Sequence, residues 1–442
     1  MIPSDPITLV LSIILCLFFV LFFFGRNKNA YNLPPGPRPL PIIGNLHILD
    51  MKRPYLTMHE LSKKYGPVYT LQLGVEKVVV ICGYEAVKDA LVNHADEFSG
   101  RPKPIIADEK FEGHGEPFDN MMNVNAAVSN IIVSILLSKR FDYEDPTLLK
   151  LMKMINENNQ LTGTPMAMLY NTYPSVMRWF TSVAEKVRRN LNEMHAFIRE
   201  TFTNQREQLD VNDQRNLIDS FLAKQREEKP NPKLYFTNEN LTHLVADLFD
   251  AGMETTSLTL RWGLLLMMKY PEIQKKVQSE IDKVIGSNAP QVIHRREMPY
   301  TDAVIHEIQR FGNIVPSNLP HATIQDVNFR GFLLPKGIQV IPLLTSVLYD
   351  KNHFVKADAF YPEHFLDSSG NFVRNEAFMP FSAGKRSCAG ENLAKMELFI
   401  FFTRLLQVFT FKAPPGAALD LTPVVGLTAN PMPYKMCAIP RE

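Results

Sequence analysis

The sequence predicts a mainly α-helical protein with small β-sheets, preceded by an N-terminal transmembrane helix. Three patterns carry this. The run Ile7 to Phe24 is apolar except for Thr8 and Ser12, and as a helix it would span roughly 27 Å, close to the hydrocarbon thickness of a bilayer. Apolar residues recur at spacings of three and four in long stretches between Val183 and Phe409, the signature of amphipathic or buried helices. Tyr69 to Leu73 and Val78 to Cys82 alternate around a turn at Gly74 to Lys77, which predicts a hairpin, and Val327 to Pro342 reads as a second β-rich segment.

The apolar run is preceded by Asp5 and by no Lys or Arg, and no small-x-small site follows it, so a retained anchor is expected rather than a cleaved signal peptide. Arg26 and Lys28 follow the run, which places the bulk of the chain on the cytosolic side. Residues 1–25 are thus the anchor and 26–45 a linker, whose core Pro34-Pro-Gly-Pro-Arg-Pro-Leu-Pro41 is stiffened by fixed proline dihedrals. Length alone would allow about three domains, but 46–442 reads as one body. The 47 basic and 46 acidic residues nearly cancel, giving no sign of a nucleic-acid partner. Cys16, Cys82, Cys388 and Cys437 form no CxxC pair and no disulfide framework, which suits a reducing compartment.

Along the body, Tyr84 to Asn93 reads as a helix and Phe98 to Pro102 as a loop. Val183, Val187, Leu191, Met194 and Ile198 share one face of a long amphipathic helix. Arg226 to Pro232 is a charged connection. Glu239 to Tyr270 is a continuous helical pattern with Ala251-Gly-Met-Glu-Thr255-Thr256 at its middle. Glycine in a helix interior costs about 1 kcal/mol relative to alanine, so Gly252 answers either to a ligand approaching closely or to a neighbouring helix packing tightly. Thr255 and Thr256 can bond back to carbonyls one turn earlier and open the helix slightly.

In the helix Thr301 to Phe311, Glu307 and Arg310 share a face and can pair. Arg310 stands where a zinc-protease HExxH would need histidine. Gly113-His-Gly115 is followed by Glu, Pro and Phe118, so there is no dinucleotide fingerprint.

The most informative stretch is Phe381-Ser-Ala-Gly-Lys-Arg-Ser-Cys388-Ala-Gly-Glu, running into the helical pattern Leu393 to Phe409. Its glycines allow a tight turn that aims main-chain N–H groups at the sulfur, and the following helix presents its positive end to a thiolate. No second Cys or His lies at zinc spacing, and no base for a cysteine nucleophile is present in the loop.

Phe381, Gly384, Arg386, Cys388 and Gly390 together resemble the cysteine loop of the cytochrome P-450 family, and the chain is similar to its vertebrate microsomal family 2 almost throughout. The resemblance implies the family's fold and a haem (iron protoporphyrin IX) ligated by Cys388, with Arg386 and His321 at its propionates. Ala-Gly-x-Glu-Thr resembles the oxygen-activation segment, which implies that Glu254 and Thr255 deliver the protons consumed there. Glu307, Arg310 and His364, the last within Phe360-Tyr-Pro-Glu-His364-Phe365, would be the buried structural support. Phe249, Ala251, Val315, Leu427 and Thr428 fall where relatives line the substrate cavity.

The implied reaction inserts one oxygen atom from O2 into a lipophilic small molecule such as a fatty acid, steroid or xenobiotic. Electrons would come from an NADPH-dependent flavoprotein reductase, with cytochrome b5 as a possible second donor, at the endoplasmic reticulum membrane. The resemblance breaks between Gly115 and Glu116, where the microsomal branch carries two more helices with a propionate-clamping Trp-x-x-x-Arg. Neither Trp179 nor Trp262 is placed to replace that tryptophan. Two other classes stay open: an isomerase or dehydratase using no O2, against which Glu254 and Thr255 argue, and a non-catalytic, haem-poor membrane protein, for which the missing clamp argues.

Overall fold

The computed structural model describes residues 33–441 except 41–42, 51–52, 75, 96, 99–117, 163, 165, 168–169, 171–176, 178–182 and 228–234. The expected anchor, the Gly113-His-Gly115 run and Trp179 lie outside the described residues. Among those described, no helix is long and apolar enough to cross a membrane.

Helix α1 (Pro54–Tyr65) leads into the hairpin of β1 (Val68–Leu73) and β2 (Glu76–Ile81), paired from Val68↔Ile81 to Leu73↔Glu76. The turn is tighter than the sequence indicates, because Glu76 and Lys77 extend the second strand, and Gly74 supplies the left-handed φ of +64°. The proline segment is extended, but it lies on the sheet: Thr70 N–H donates to the Pro35 carbonyl, and the Asn45 amide donates to the carbonyls of Pro37 and Arg38. The folded body therefore takes in residues expected in the linker.

The helix expected at Tyr84 to Asn93 forms as α2 (Tyr84–Lys88) continued by one π-helical turn, Asp89–Asn93. Then come α3 (Met121–Leu137), α4 (Pro146–Thr162), α5 (Val183–Glu207) and α6 (Leu217–Glu227). On α5 the chain buries Val187, Met194, Ile198 and Phe202, while Leu191, expected on that face, is exposed at its edge.

Helix α7 (Asn238–Lys269) is the axis of the body. Thr237 caps it, its hydroxyl accepting the Asn240 N–H, and Pro271 opens α8 (Pro271–Val284) directly after it. From Thr256 to Met268 every side chain is buried, as expected of a helix with neighbours all round. The neighbours are α9 (Pro299–Gly312) and α11 (Glu391–Val408): a Cβ on Gly263 would come within 3.1 Å of Ile308 and 3.3 Å of Phe402.

Strands β3 (His321–Ala322) and β6 (Gln339–Pro342) complete a four-stranded sheet in the order β1-β2-β6-β3, with β2 and β6 parallel. Between them β4 (Val327–Phe329) and β5 (Phe332–Leu334) form a hairpin, and the short helix α10 (Leu344–Leu348) follows β6. After α11 come β7 (Phe409–Lys412), paired with β10 (Cys437–Pro440), and the hairpin of β8 (Pro423–Val425) and β9 (Ala429–Pro431). Trp262 is committed to this packing, its indole N–H donating to the Ala429 carbonyl at 2.9 Å.

Candidate active site

The cysteine loop is held by its backbone. Cys388 N–H donates to the Phe381 carbonyl at 2.9 Å and Ser387 N–H to the Gly384 carbonyl at 3.1 Å. Gly384 has a φ of +73° and lies against the Leu91 carbonyl, where a Cβ could not fit, so glycine is needed there twice over. The Asn318 amide ties Ser382 to the segment before β3. Helix α11 begins at Glu391, two residues past Ala389, and Lys395 pairs with Glu391 while lying over the Phe381 ring. The Cys388 thiol is free of any disulfide and open to the outside of the loop.

The ion pair expected at Glu307 and Arg310 is fully buried. Arg310 uses all five guanidinium N–H groups: Nε and Nη2 on the two Glu307 oxygens at 2.7 Å each, and the rest on the carbonyls of Leu348, Ala357 and Ala359. Glu307 also accepts the Tyr361 N–H at 2.7 Å and the His364 Nδ1–H at 3.1 Å. The Lys356 N–H donates to His364 Nε2, which fixes the ring as the Nδ1–H tautomer. Four donors thus saturate the carboxylate, and the cluster pins the segment that leads toward the cysteine loop.

On α7 the Thr255 hydroxyl donates back to the Ala251 carbonyl at 2.8 Å, and Thr259 does the same to Thr255. Ala251 is exposed and Thr255 half-exposed on a helix that is covered from Thr256 to Met268. Gly252 answers to packing: a Cβ there would lie 2.6 Å from the Ile132 side chain on α3. Phe249, expected in the cavity, is buried in the core formed with α3, α4, α5 and α6. It lies two positions from Ala251, about 200° round the helix, and so faces the other way.

Of the other residues expected in the cavity, Thr428 is joined to α7 and its turn to the segment after α9. Ala429 N–H donates to the Ile314 carbonyl, drawing the Gly426–Thr428 turn toward Ile314 and Val315, and the Thr428 hydroxyl donates to Glu254 Oε1 at 3.1 Å. Leu427 is exposed at the tip.

Sequence reading did not single out Asp250 or Asn159. The Asn159 amide on α4 donates to Asp250 Oδ1 at 3.0 Å. Burial pushes the Asp250 carboxyl up to about 6, partly offset by the Asn159 amide. Burial likewise raises Glu254, against the Thr428 hydrogen bond. On α11 burial raises Glu397 to about 7, and its buried Oε1 accepts no hydrogen bond. A separate cleft of about 990 Å³, lined by both polar and apolar residues, opens beside α1, the end of α9 and the β8–β9 hairpin, and contains none of Cys388, Ala251 or Thr255.

These residues fit a flat, acid-bearing macrocycle with a soft metal. The loop offers one free thiol held outward by backbone bonds. Gly390 leaves the sulfur uncrowded, since even a Cβ added at that position would lie 3.8 Å from it, and Arg386 is exposed two residues away. His321 is buried on β3 with Nδ1 donating to the Phe98 carbonyl at 2.6 Å.

Comparison with known proteins agrees. The chain is 42% identical to cytochrome P450 2K1 of Oncorhynchus mykiss over 494 residues, covering 99% of this chain and 98% of that one. It is 41% identical to cytochrome P450 2E1 of Rattus norvegicus over 488 residues, with 99% of each covered. To cytochrome P450 2C8 of Homo sapiens it is 41% identical over 483 residues, covering 97% of this chain and 99% of that one. The sequence pattern of the family described as Cytochrome P450 matches residues 34–120 and 107–438. With the cysteine loop and the saturated ion pair in place, the conclusion is direct: the chain belongs to the cytochrome P450 family of haem-dependent monooxygenases.

Proposed function

We propose that this chain oxidises lipophilic small molecules, among them fatty acids, steroids or xenobiotics, with electrons from NADPH through a membrane-bound flavoprotein reductase and cytochrome b5 as a second donor. Residues 1–25 would anchor it in the endoplasmic reticulum membrane with residues 46–442 on the cytosolic side. The observation that carries the reading is the outward thiol of Cys388 on a loop whose turn is shaped by backbone bonds.

Haem bound there supplies O2 activation, to which a thiolate ligand contributes electron density. Cys388 would ligate the iron through its thiolate. Arg386 and His321 would hold the propionates. Because His321 Nδ1 already donates to Phe98, the ring can donate to a carboxylate only when doubly protonated. Ala251, Val315, Leu427 and Thr428 would line the substrate space. Glu254 holds a proton at higher pH than an ordinary carboxyl because it is buried, which suits a proton donor near neutrality. The Thr255 hydroxyl, already turned toward the Ala251 carbonyl, would keep a water in line between that acid and the reacting oxygen.

A second reading is favoured by one observation. The family match comes in two pieces that meet at residues 107–120, and the alignment to the trout relative is 494 positions long against 442 residues here, leaving at least 52 (494 less 442) without a counterpart. This supports a shortening between Gly115 and Glu116 that removes the propionate clamp, and so a chain that keeps the fold but holds haem poorly. The carbon monoxide difference spectrum of the reduced protein separates the two. A thiolate-type spectrum supports the enzyme; no spectrum, with one restored on reinserting the two-helix stretch, supports the haem-poor form.

Thr255→Ala should consume NADPH and O2 nearer the parent's rate than it forms product, with hydrogen peroxide as the difference. The helix survives, since alanine is the best helix former. Equal product per NADPH in variant and parent, measured with the stretch restored, would remove Thr255 from proton delivery.

A further inference from the structure

The cleft of about 990 Å³ beside α1, the end of α9 and the β8–β9 hairpin takes no part in the chemistry described above. Its volume is that of a small-molecule site, for which ~300–1,000 Å³ is usual. Its buried wall is apolar. Trp262 and Ala429 meet there, and the indole N–H is already spent on the Ala429 carbonyl. The polar groups around them are spent as well: the Tyr349 hydroxyl donates to the Phe311 carbonyl at 2.7 Å, the Asn313 amide to the Thr345 hydroxyl at 2.8 Å, and the Gly83 N–H to the Ser346 hydroxyl at 2.7 Å.

The charged groups of the lining do not balance. Its basic side chains Arg53, Lys63 and Lys351 each have an acid of their own: Asp50 at 3.6 Å, Glu60 at 2.6 Å and Asp358 at 2.6 Å. Asp350, after α10, and Asp420, before β8, also line the cleft, and neither forms an ion pair among the described residues. Asp350 accepts from the Asn352 N–H and side-chain amide at 2.9 Å each, and Asp420 from the Thr422 N–H at 2.8 Å. Both are left with carboxylate lone pairs to offer. The His59 ring adds no positive charge near neutrality, since burial and the Lys63 ammonium lower its pKa, and its buried Nδ1 has no hydrogen-bond partner.

We propose that this cleft is a second ligand site, separate from the site of oxidation, that takes a lipophilic amine, with its apolar body against Trp262 and Phe311 and its ammonium at the carboxylates of Asp350 and Asp420. An ammonium supplies the charge-assisted donors these acids lack, and the face of an indole attracts a cation. An anion of the same shape meets a lining with one acid in excess, and a neutral analogue forgoes the charge-assisted bonds. The two spaces share a wall: the β8–β9 hairpin gives Pro423 and Ala429 to the cleft, and Leu427 and Thr428 to the substrate space proposed above.

The test uses the purified full-length protein carrying Trp179→Phe, so that Trp262 is the one indole left. Its emission is followed while N,N-dimethyl-3-phenylpropylamine is added, with 3-phenylpropan-1-ol and 3-phenylpropanoate as the neutral and anionic analogues. The amine should change the emission saturably, and more weakly at high salt. Its affinity should fall about fivefold in the double variant Asp350→Asn with Asp420→Asn, the size expected for losing partly exposed ion pairs. Asparagine keeps the acceptor oxygens that shape both turns, and circular dichroism checks the fold; if the double variant does not fold, Asp420→Asn alone decides. Ala251→Phe, which fills the substrate space, should leave amine binding unchanged. No saturable response, equal affinity for the three analogues, equal affinity in the folded aspartate variant, or loss of the response in Ala251→Phe would each overturn the proposal. The measurement needs no turnover, so its failure is distinct from failure of the monooxygenase reading.

Discussion

Cys388→Ala is expected to abolish the thiolate-type carbon monoxide difference spectrum completely and to leave the protein folded and membrane-associated. An alanine methyl cannot ligate a metal, and among the described residues the other cysteines are poor substitutes: Cys82 is buried on the sheet side with its thiol pushed up to about 12, and Cys437 is in β10. The loop itself should persist, because the bonds that shape it, Cys388 N–H to Phe381 and Ser387 N–H to Gly384, belong to the backbone. An exposed side chain with no packing role contributes within about 0.5 kcal/mol to stability. A variant that kept the thiolate-type spectrum would place the ligand elsewhere.

Arg310→Met should have the largest effect on stability. It strips Glu307 of two charge-assisted bonds and leaves a carboxylate buried with only the Tyr361 N–H and His364 as partners, while three carbonyls lose their donor. Stranding a buried charge in this way costs about 3–5 kcal/mol, against a total stability of roughly 5–15 kcal/mol. The urea midpoint should fall accordingly. The double variant Glu307→Gln with Arg310→Met should recover part of the loss, because no charge is then left uncompensated. Equal midpoints for Arg310→Met and the parent would show that the cluster does not hold the segment before the cysteine loop.

The cysteine loop, the central helix and the ion pair are legible in the sequence because each is local: the chemistry lies within a few residues and its spacing shows it. Glu307 and Arg310 can be paired from their three-residue separation, and Thr255 can be turned back on Ala251 from helix geometry alone. Orientation is harder. Periodicity shows that α7 is buried around much of its circumference, but not which arc meets the cofactor space, and Phe249, expected in the cavity, faces the core instead. The same ambiguity leaves Gly252 between ligand and packing until Ile132 is seen against it. The cluster of Asn159, Asp250, Glu254 and Thr428 spans three segments up to hundreds of residues apart, and no spacing rule joins them. Two unlike signals hint at it: a carboxylate at Asp250 on a helix face that borders a cavity, and an asparagine run at the end of α4.

The parallel pairing of β2 with β6 ties Ile81 to Pro342 and so closes one very long loop of chain that holds α2 to α9. Closure entropy grows only logarithmically, a doubling of loop length costing about 0.6 kcal/mol. Removing roughly a fifth of such a loop therefore changes the closure cost by only about 0.2 kcal/mol. The sheet is indifferent to how much chain lies between its strands. Splicing or deletion inside that span can thus discard whole helices while the strands still find their register and the cysteine loop still forms, and natural selection meets the loss at the surfaces those helices covered before it meets it in the fold.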